Sequence, residues 1–284
     1  MSVLPLISVN ELHGILEQNK LIVLDVRSKL TDDNYGKVAY EAGHIPGARR
    51  ADMHDDVTGC CSGTNGRHPL PDSGRFCVNM RRLGLSPDNA VVVYDDGDMT
   101  FSARLWFTLR WVGFENVRVL DGGFKAWEKA GFEVSTEVPT WEQGTYRATT
   151  PLERVFDDDF VDNNLKTKDY TLVDARSAER FRGEVEPIDA EAGHIPGSLN
   201  RPSSENFAPD GRFKAPELLA EEFTSLIGDR DPADIIQTCG SGVSACCNHL
   251  AMAVAQMPAA GVYIGSWSEW IADEDRPRAK GLAS

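Results

Sequence analysis

The sequence predicts an α/β protein with two related domains, each a mostly parallel sheet flanked by helices on both faces. Two observations carry this prediction. The chain repeats its own motifs in the same order. Short runs rich in Val and Ile also alternate with segments of helical periodicity, which is typical of parallel sheets covered by helices.

The internal repeat is visible in four pairs of blocks. The sequence Glu-Ala-Gly-His-Ile-Pro-Gly occurs at 41–47 and again at 191–197, and each copy follows an apolar run that ends in Asp-x-Arg. The aspartate-to-histidine separation is 19 residues from Asp25 to His44 and 20 residues from Asp174 to His194. Two later pairs of blocks keep offsets of 144 and 143 residues: 90–95 with 234–239, and 120–127 with 263–270. Four ordered matches at nearly constant register indicate a duplicated domain.

The strands and helices of each copy follow from local patterns. Short apolar runs have the length of buried parallel strands, at 21–24, 90–94, 117–120, 171–173, 235–238 and 262–264. Helical periodicity covers 9–19, 103–112 and 244–255. Ser8, with Glu11 three residues later, predicts a capping box at the start of the first helix.

Residues 137–154 have no clear period and contain two prolines and a glycine. We therefore predict a linker at 139–152 between an N-terminal domain, residues 1–138, and a C-terminal domain, residues 153–284.

Composition limits the possible partners. The 284 residues include 29 Lys and Arg against 44 Asp and Glu, a net charge of −15 that argues against nucleic acid or an anionic membrane as partner. No apolar run approaches the roughly 20 residues of a membrane helix. The N-terminus has no basic region and is interrupted by Pro5, so we do not expect a secretory signal. Six cysteines, four of them in two adjacent pairs, do not resemble a disulfide framework and favour the cytoplasm.

The two copies differ where a predicted strand ends and a helix begins. The second copy has Cys239-Gly-Ser-Gly-Val-Ser at this point, and the first copy has Asp95 in place of the cysteine. A thiol there meets the positive end of a helix dipole and a ring of backbone N–H groups, which favour the thiolate. Gly240 and Gly242 would let the loop close around one sulfur. An ordinary buried cysteine is the alternative interpretation.

The twin Gly-His-Ile-Pro-Gly blocks and the Cys-Gly-Ser-Gly-Val loop resemble the tandem rhodanese-type sulfurtransferases, over essentially the whole chain. The resemblance implies two rhodanese-like domains, of which only the C-terminal one is catalytic. The loop is closest to that of the 3-mercaptopyruvate sulfurtransferases, with Ser244 in place of their threonine. Thiosulfate sulfurtransferases of the animal type carry Arg and Lys after the cysteine. This chain has Gly and Ser at those two positions. Thiosulfate is nevertheless kept as the alternative donor.

The resemblance implies covalent catalysis without a cofactor or metal. The Cys239 thiolate would take a sulfur from a small anionic donor and carry it as a persulfide. Cyanide or a thioredoxin-like dithiol would then accept it. The amides of the loop, from Gly240 through Gly242 and Val243 to Ser244, would stabilise the persulfide charge in both steps.

Two arginines are candidates for binding the donor. Arg180 matches the family arginine that binds the donor carboxylate, a task suited to a planar guanidinium. The mercaptopyruvate enzymes usually have a second arginine a few residues later, but the stretch at 185–189, Val-Glu-Pro-Ile-Asp, has none. Arg182 is the candidate to replace it.

Some family members are proposed to polarise the donor through an Asp–His–Ser relay. Ser241 matches the serine and His68 matches the histidine, which we expect at the rim of the active site. The acidic position instead has His54, with Asp52, Asp55 and Asp56 nearby.

Other conspicuous residues favour structural interpretations. His44 and His194 occur in both copies, including the copy without the cysteine, and Asp25–Arg27 and Asp174–Arg176 are predicted internal salt bridges. Trp267 and Trp270 are expected in the core or a site wall. The adjacent Cys60 and Cys61 lack the usual spacing of zinc ligands.

Two further functional classes stay open. A Cys-dependent phosphatase needs an arginine six positions after the cysteine, where this chain has Ala245. A non-catalytic binding module would have no need for Cys239 within a glycine loop.

Overall fold

The computed structural model describes residues 4–282, which form two compact units. Unit 1 contains the chain up to Gly59, Leu70–Glu153 and Pro209–Phe213. Unit 2 contains Cys60–Pro69, Arg154–Ala208 and the chain from Lys214 onward. Cys60–Pro69 therefore belongs to unit 2, although the sequence on both sides of it belongs to unit 1. Pro209–Phe213 belongs to unit 1, although its neighbours in the sequence belong to unit 2. The first three and last two residues of the predicted domains lie outside the described residues.

Unit 1 is built on a five-stranded sheet in which every pairing is parallel, with the order β1-β5-β4-β2-β3. Its strands are β1 Leu6–Ile7, β2 Leu21–Asp25, β3 Arg49–Arg50, β4 Ala90–Tyr94 and β5 Val117–Leu120. Its helices are α1 Val9–Ile15, α2 Tyr35–Ala42, α3 Ser73–Arg82, α4 Thr100–Trp111 and α5 Gly123–Lys129.

Unit 2 repeats this architecture with the order β6-β10-β9-β7-β8, again entirely parallel. Its strands are β6 Val155–Phe156, β7 Thr171–Asp174, β8 Leu199–Asn200, β9 Ile235–Thr238 and β10 Gly261–Tyr263. Its helices are α6 Asp158–Thr167, α7 Ala178–Phe181, α8 Pro216–Ile227, α9 Ser244–Val254 and α10 Ser266–Trp270. The two parallel sheets flanked by helices confirm the predicted fold class.

Local predictions are largely confirmed, with one helix shorter than expected. The capping box at α1 is present: the Ser8 hydroxyl accepts the Glu11 backbone N–H, and the Glu11 carboxylate accepts the Ser8 backbone N–H. The helix predicted over 9–19 ends at Ile15. Turns then follow, in which the Gln18 and Leu21 amides bond to carbonyls three residues earlier and lead the chain into β2.

The paired motifs have matching structural roles in the two units. Arg27 forms an ion pair with Asp25 and donates to the Gly43 carbonyl at 2.7 Å. Arg176 does the same with Asp174 and the Gly193 carbonyl, also at 2.7 Å. The predicted salt bridges are therefore confirmed, and each fixes the end of a strand to the glycine before the repeated histidine.

The two repeated histidines are packed within their units. The His44 ring stacks on Tyr40, and Nδ1 bonds to the Tyr40 carbonyl at 2.8 Å. His194 stacks on Phe181 and bonds to the Phe181 carbonyl at 2.7 Å. Burial lowers the pKa of His194, so the neutral ring is favoured there. These contacts confirm the structural interpretation of both histidines.

The predicted linker segment packs on unit 1. Tyr146 is buried, its hydroxyl donates to the Val112 carbonyl at 2.9 Å, and its amide bonds to the Leu85 carbonyl. The Trp141 indole donates to the Arg82 carbonyl at 2.7 Å. Among residues 4–282, no helix combines the length and the apolar character that crossing a bilayer requires.

Candidate active site

Cys239 lies directly after β9 in unit 2, at the carboxyl end of a central strand of the parallel sheet. Four residues of loop separate it from α9, which begins at Ser244. In sheets of this kind, ligands bind at the carboxyl ends of the strands. The cysteine is only 2 % exposed, and the rest of the loop is also buried apart from half-buried Ser244. The cysteine is therefore almost completely shielded from solvent.

A second turn, between β10 and α10, holds this loop in place. The Ser266 hydroxyl accepts the Cys239 amide at 3.1 Å and donates to the Tyr263 carbonyl at 2.8 Å. The amides of Trp267 and Ser268 donate to the carbonyls of Cys239 and Gly240 at 3.0 and 2.9 Å. Both the backbone N–H and the carbonyl of Cys239 are thus hydrogen-bonded to the turn between β10 and α10.

Gly242 lets the loop close around the Cys239 sulfur, as predicted from the sequence. Its backbone N–H donates to the Cys239 sulfur at 3.1 Å. Its φ of +73° lies in the left-handed region, and a Cβ there would lie 2.2 Å from the Ile264 carbonyl oxygen. No other residue fits this position without moving the backbone. The N-terminus of α9 follows, so its dipole adds positive potential at the sulfur.

His68 and Ser241 come together in unit 2. The His68 Nδ1 lies 2.8 Å from the Ser241 hydroxyl oxygen, although 173 residues separate them in the sequence. Asp52, one of the three acidic residues near the expected relay position, has its own role in unit 1. Its carboxylate accepts the amides of His54 and Asp55, both at 2.9 Å, and so caps the short π-helix Met53–Val57.

The two candidate arginines differ in their surroundings. Arg180 donates to Glu186 at 2.7 Å and to Asp189 at 3.1 Å, and its side chain is 16 % exposed. Arg182 forms a two-point pair with Glu184, with both contacts at 2.8 Å. Its backbone carbonyl accepts the Gly281 amide. The contacts of the described residues bring Arg180, and not Arg182, to the Cys239 loop.

Sequence reasoning missed Arg67 and the acids that hold the arginines. Arg67 forms an ion pair with Asp189, and Glu186 bridges Arg180 and Arg176. A Cβ built on Gly240 would lie 3.0 Å from Arg67 Nη2 and 3.5 Å from Arg180 Nη2. Both guanidinium groups therefore lie beside the residue that follows Cys239. The available signal was the position of Arg67 directly before His68.

The corresponding loop of unit 1 is built around Asp95. The aspartate is fully buried, and its carboxylate accepts the amides of Gly97, Met99, Phe101 and Ser102 at 2.9–3.1 Å. The Ser102 hydroxyl donates to it at 3.0 Å. The loop thus encloses a carboxylate where unit 2 has a sulfur.

Two further pairs of residues that the sequence makes conspicuous can also be located. Cys60 and Cys61 are exposed, and residues 4–282 contain no cluster of three or more His, Cys, Asp or Glu that could hold a metal ion. Trp267 and Trp270 are buried in the core of unit 2, as predicted.

Comparisons with known proteins find relatives along nearly the whole chain. The model of the rhodanese-like domain matches twice, at residues 8–130 and 157–273. A Pseudomonas aeruginosa protein named "Probable 3-mercaptopyruvate sulfurtransferase" is 40 % identical over 283 residues, 99 % of this chain and 100 % of that protein. The mouse thiosulfate sulfurtransferase is 34 % identical over 88 % of this chain and 84 % of its own length. The structure of the 3-mercaptopyruvate sulfurtransferase from Leishmania major superposes with a TM-score of 0.82 at 27 % identity, covering 93 % of this chain and 73 % of that one.

Proposed function

The chain belongs to the rhodanese-like family, and on this premise we propose that it moves a sulfane sulfur from 3-mercaptopyruvate to a thiophilic acceptor through a persulfide on Cys239. The observation that carries the proposal is the Cys239 sulfur, enclosed by its loop with the Gly242 N–H directed at it. Such a sulfur can hold a negative charge both before and after it receives a second sulfur atom.

In the first half-reaction, the Cys239 thiolate attacks the sulfur of the donor. An S–S bond forms as the C–S bond of the donor breaks, and the electron pair of that bond passes to carbon. The resulting enolate of pyruvate takes up a proton. In our proposal the Ser241 hydroxyl, which is hydrogen-bonded to His68, polarises the donor in this step.

In the second half-reaction, a nucleophilic acceptor attacks the outer sulfur and releases the Cys239 thiolate. The acceptor is cyanide or a thioredoxin-like dithiol. The loop amides from Gly240 to Ser244 stabilise the negative charge throughout. No cofactor enters this scheme.

The charges around the loop favour 3-mercaptopyruvate as the donor. The loop itself has no charged side chain, and Arg180 beside it suits a carboxylate. Doubly charged thiosulfate would gain more from a cationic loop. Thiosulfate is the second candidate, because a thiosulfate sulfurtransferase is also among the relatives.

The proposal assigns no catalysis to the N-terminal domain, because Asp95 replaces the cysteine there. We place the boundaries of the two domains at residues 138 and 153. The cytoplasm is the proposed compartment, since all six cysteines are free thiols, which suits a reducing environment.

Intact-mass spectrometry after incubation with each donor tests the proposal. We expect a mass increase of one sulfur atom that maps to Cys239 and disappears on adding cyanide. The ratio of kcat/KM for 3-mercaptopyruvate and thiosulfate, measured on one preparation, then decides the donor. Failure to form a persulfide with either donor would refute the transfer mechanism and favour a non-catalytic binding module. Hydrolysis of an aryl phosphate would instead indicate the phosphatase alternative.

A further inference from the structure

Three guanidinium groups surround one side of the Cys239 loop. A negative donor approaching a thiolate needs compensating positive charge, and the loop side chains supply none. The neighbouring positive charges belong to Arg67, Arg176 and Arg180 in unit 2. They differ in their ability to reach an incoming anion.

Arg176 is committed to the interior of unit 2. Its side chain is 1 % exposed, and its donors go to Asp174, Glu186 and the Gly193 carbonyl. Burial lowers its pKa, but the surrounding negative charges, Asp174 first, outweigh this and leave the pKa raised. Arg176 therefore contributes positive charge to the site, but its N–H donors are occupied by groups of unit 2.

Arg67 and Arg180 keep partly open guanidinium groups beside the nucleophile. Their side chains are 30 % and 16 % exposed. A Cβ placed on Gly240 would lie 3.0 Å from Arg67 Nη2, 3.5 Å from Arg180 Nη2 and 3.6 Å from Asp189 Oδ2. Asp189 contacts both arginines, one through each carboxylate oxygen, and is almost completely buried. One internal carboxylate therefore aligns the two cationic groups.

The backbone of Arg67 is anchored to the turn that also holds Cys239. Its amide donates to the Ser268 hydroxyl at 3.1 Å, and the Ser268 amide donates to the Gly240 carbonyl at 2.9 Å. Its carbonyl accepts the Cys61 thiol at 3.2 Å. Burial lowers the pKa of Arg67, and the negative charge of Cys239 opposes this effect. The side chain is thus a partly desolvated cation at a fixed distance from the loop.

From these contacts we infer that Arg67 is a second donor-binding residue, which together with Arg180 clamps the anionic end of the sulfur donor while Asp189 holds the two guanidinium groups in register. The inference rests on the proposed function, because it assigns a partner to the donor of that reaction. A carboxylate between two guanidinium groups would receive charge-assisted hydrogen bonds from both.

The first test compares Arg67→Ala with Arg230→Ala, which removes an exposed arginine elsewhere in unit 2. We expect Arg67→Ala to raise the KM for 3-mercaptopyruvate about 10- to 100-fold. The kcat at saturating donor should change much less. The rate at which dithiothreitol discharges a preformed persulfide should stay unchanged, because that step involves no donor anion. Arg230→Ala should match the unmodified protein in all three measurements.

A second set of variants separates direct binding from an effect through Asp189. If Arg67 contacts the donor, Arg67→Ala still raises the KM in an Asp189→Asn background, by a smaller factor than in the unmodified protein because the carboxylate that aligns Arg67 is already lost. If Arg67 only positions Asp189, it has no further effect in that background, and the inference is overturned. Arg67→Lys retains the charge without the planar fork and guards against misfolding of the alanine variant. We expect an intermediate KM for it.

An unchanged KM in both Arg67 variants, with a persulfide still forming on Cys239, would overturn this inference and leave the proposed function intact. If the unmodified protein forms no persulfide, the proposed function itself fails.

Discussion

The loops that begin at Cys239 and at Asp95 have the same length and occupy the same place in their two units. Each starts at the end of a central strand, and a helix begins five residues later, at Ser244 and at Thr100. In unit 1 the two carboxylate oxygens of Asp95 collect four amides and one hydroxyl. In unit 2 the cysteine sulfur receives the amide of Gly242.

The difference shows how one loop architecture can serve stability or reactivity. A carboxylate brings two acceptor oxygens, and those of Asp95 occupy five donors of its loop. A thiolate has one acceptor atom, so the enclosure retains capacity for a second atom bonded to it. Ser102, which donates to Asp95, corresponds at the same offset to Cys246, which donates instead to the Gly242 carbonyl. Helix α4 of unit 1 thus binds the Asp95 carboxylate, whereas α9 of unit 2 binds the backbone of the Cys239 loop.

The largest expected effect comes from Cys239→Ser, which removes the reactive member of the comparison. A hydroxyl cannot carry the transferred sulfur, so we expect sulfur transfer to fall by about 10⁴-fold or more. The measurement is thiocyanate production from 3-mercaptopyruvate and cyanide. Normal turnover by this variant would contradict the proposed mechanism. Ser244→Thr, which restores the family's usual residue, is the control and should remain active.

Asp95→Ala removes the anchor of unit 1. It leaves several buried N–H groups without their acceptor, and each unsatisfied donor costs about 1–3 kcal/mol. We expect the free energy of unfolding to fall by about 3 kcal/mol or more, measured by urea denaturation at neutral pH. Asp98→Ala, at an exposed acid of the same loop, should cost about 1 kcal/mol. Equal losses in the two variants would show that Asp95 is not the anchor.

Arg180→Ala addresses a second difference, because the segment between Arg27 and Gly43 of unit 1 contains no arginine. Loss of a charge-assisted pair costs about 1.5–3 kcal/mol, so we expect the KM for 3-mercaptopyruvate to rise by roughly 10- to 100-fold with little change in kcat. Steady-state kinetics with varied donor measure this. Arg182→Ala, assayed in parallel, tests the other predicted arginine. A larger effect there than at Arg180 would reverse their assignment.

The smallest expected effect is that of Asp95→Cys combined with Cys239→Ser. We expect no persulfide at position 95, because Asp96 and Asp98, one and three residues later, would repel an anionic donor. The position corresponding to Gly242 is Asp98, so the loop lacks that glycine as well. Peptide mapping after incubation with 3-mercaptopyruvate is the measurement. A persulfide there would mean that the residue at the first loop position alone determines which of the two loops is reactive.

The sequence predicted features that depend on local pattern. β4, β5 and β9 begin and end at the predicted residues, and the Ser8–Glu11 capping box is present. The pairing of His68 with Ser241 followed from the resemblance. By contrast, no periodicity links Arg67, Asp189 and Ser268, whose contacts depend on the tertiary path of the chain. The stretch at 185–189 suggested only an absent arginine, whereas Glu186 and Asp189 there hold the arginines that are present.

The exposed Cys60 and Cys61 affect how the protein must be handled in the laboratory. Alkylating reagents can modify these two exposed thiols as well as the enclosed Cys239. Because the Cys61 thiol bonds to the Arg67 carbonyl, a bulky adduct there would disturb the backbone that carries Arg67. Inactivation by maleimide or iodoacetamide would therefore not identify the nucleophile, and labelling stoichiometry has to be read peptide by peptide.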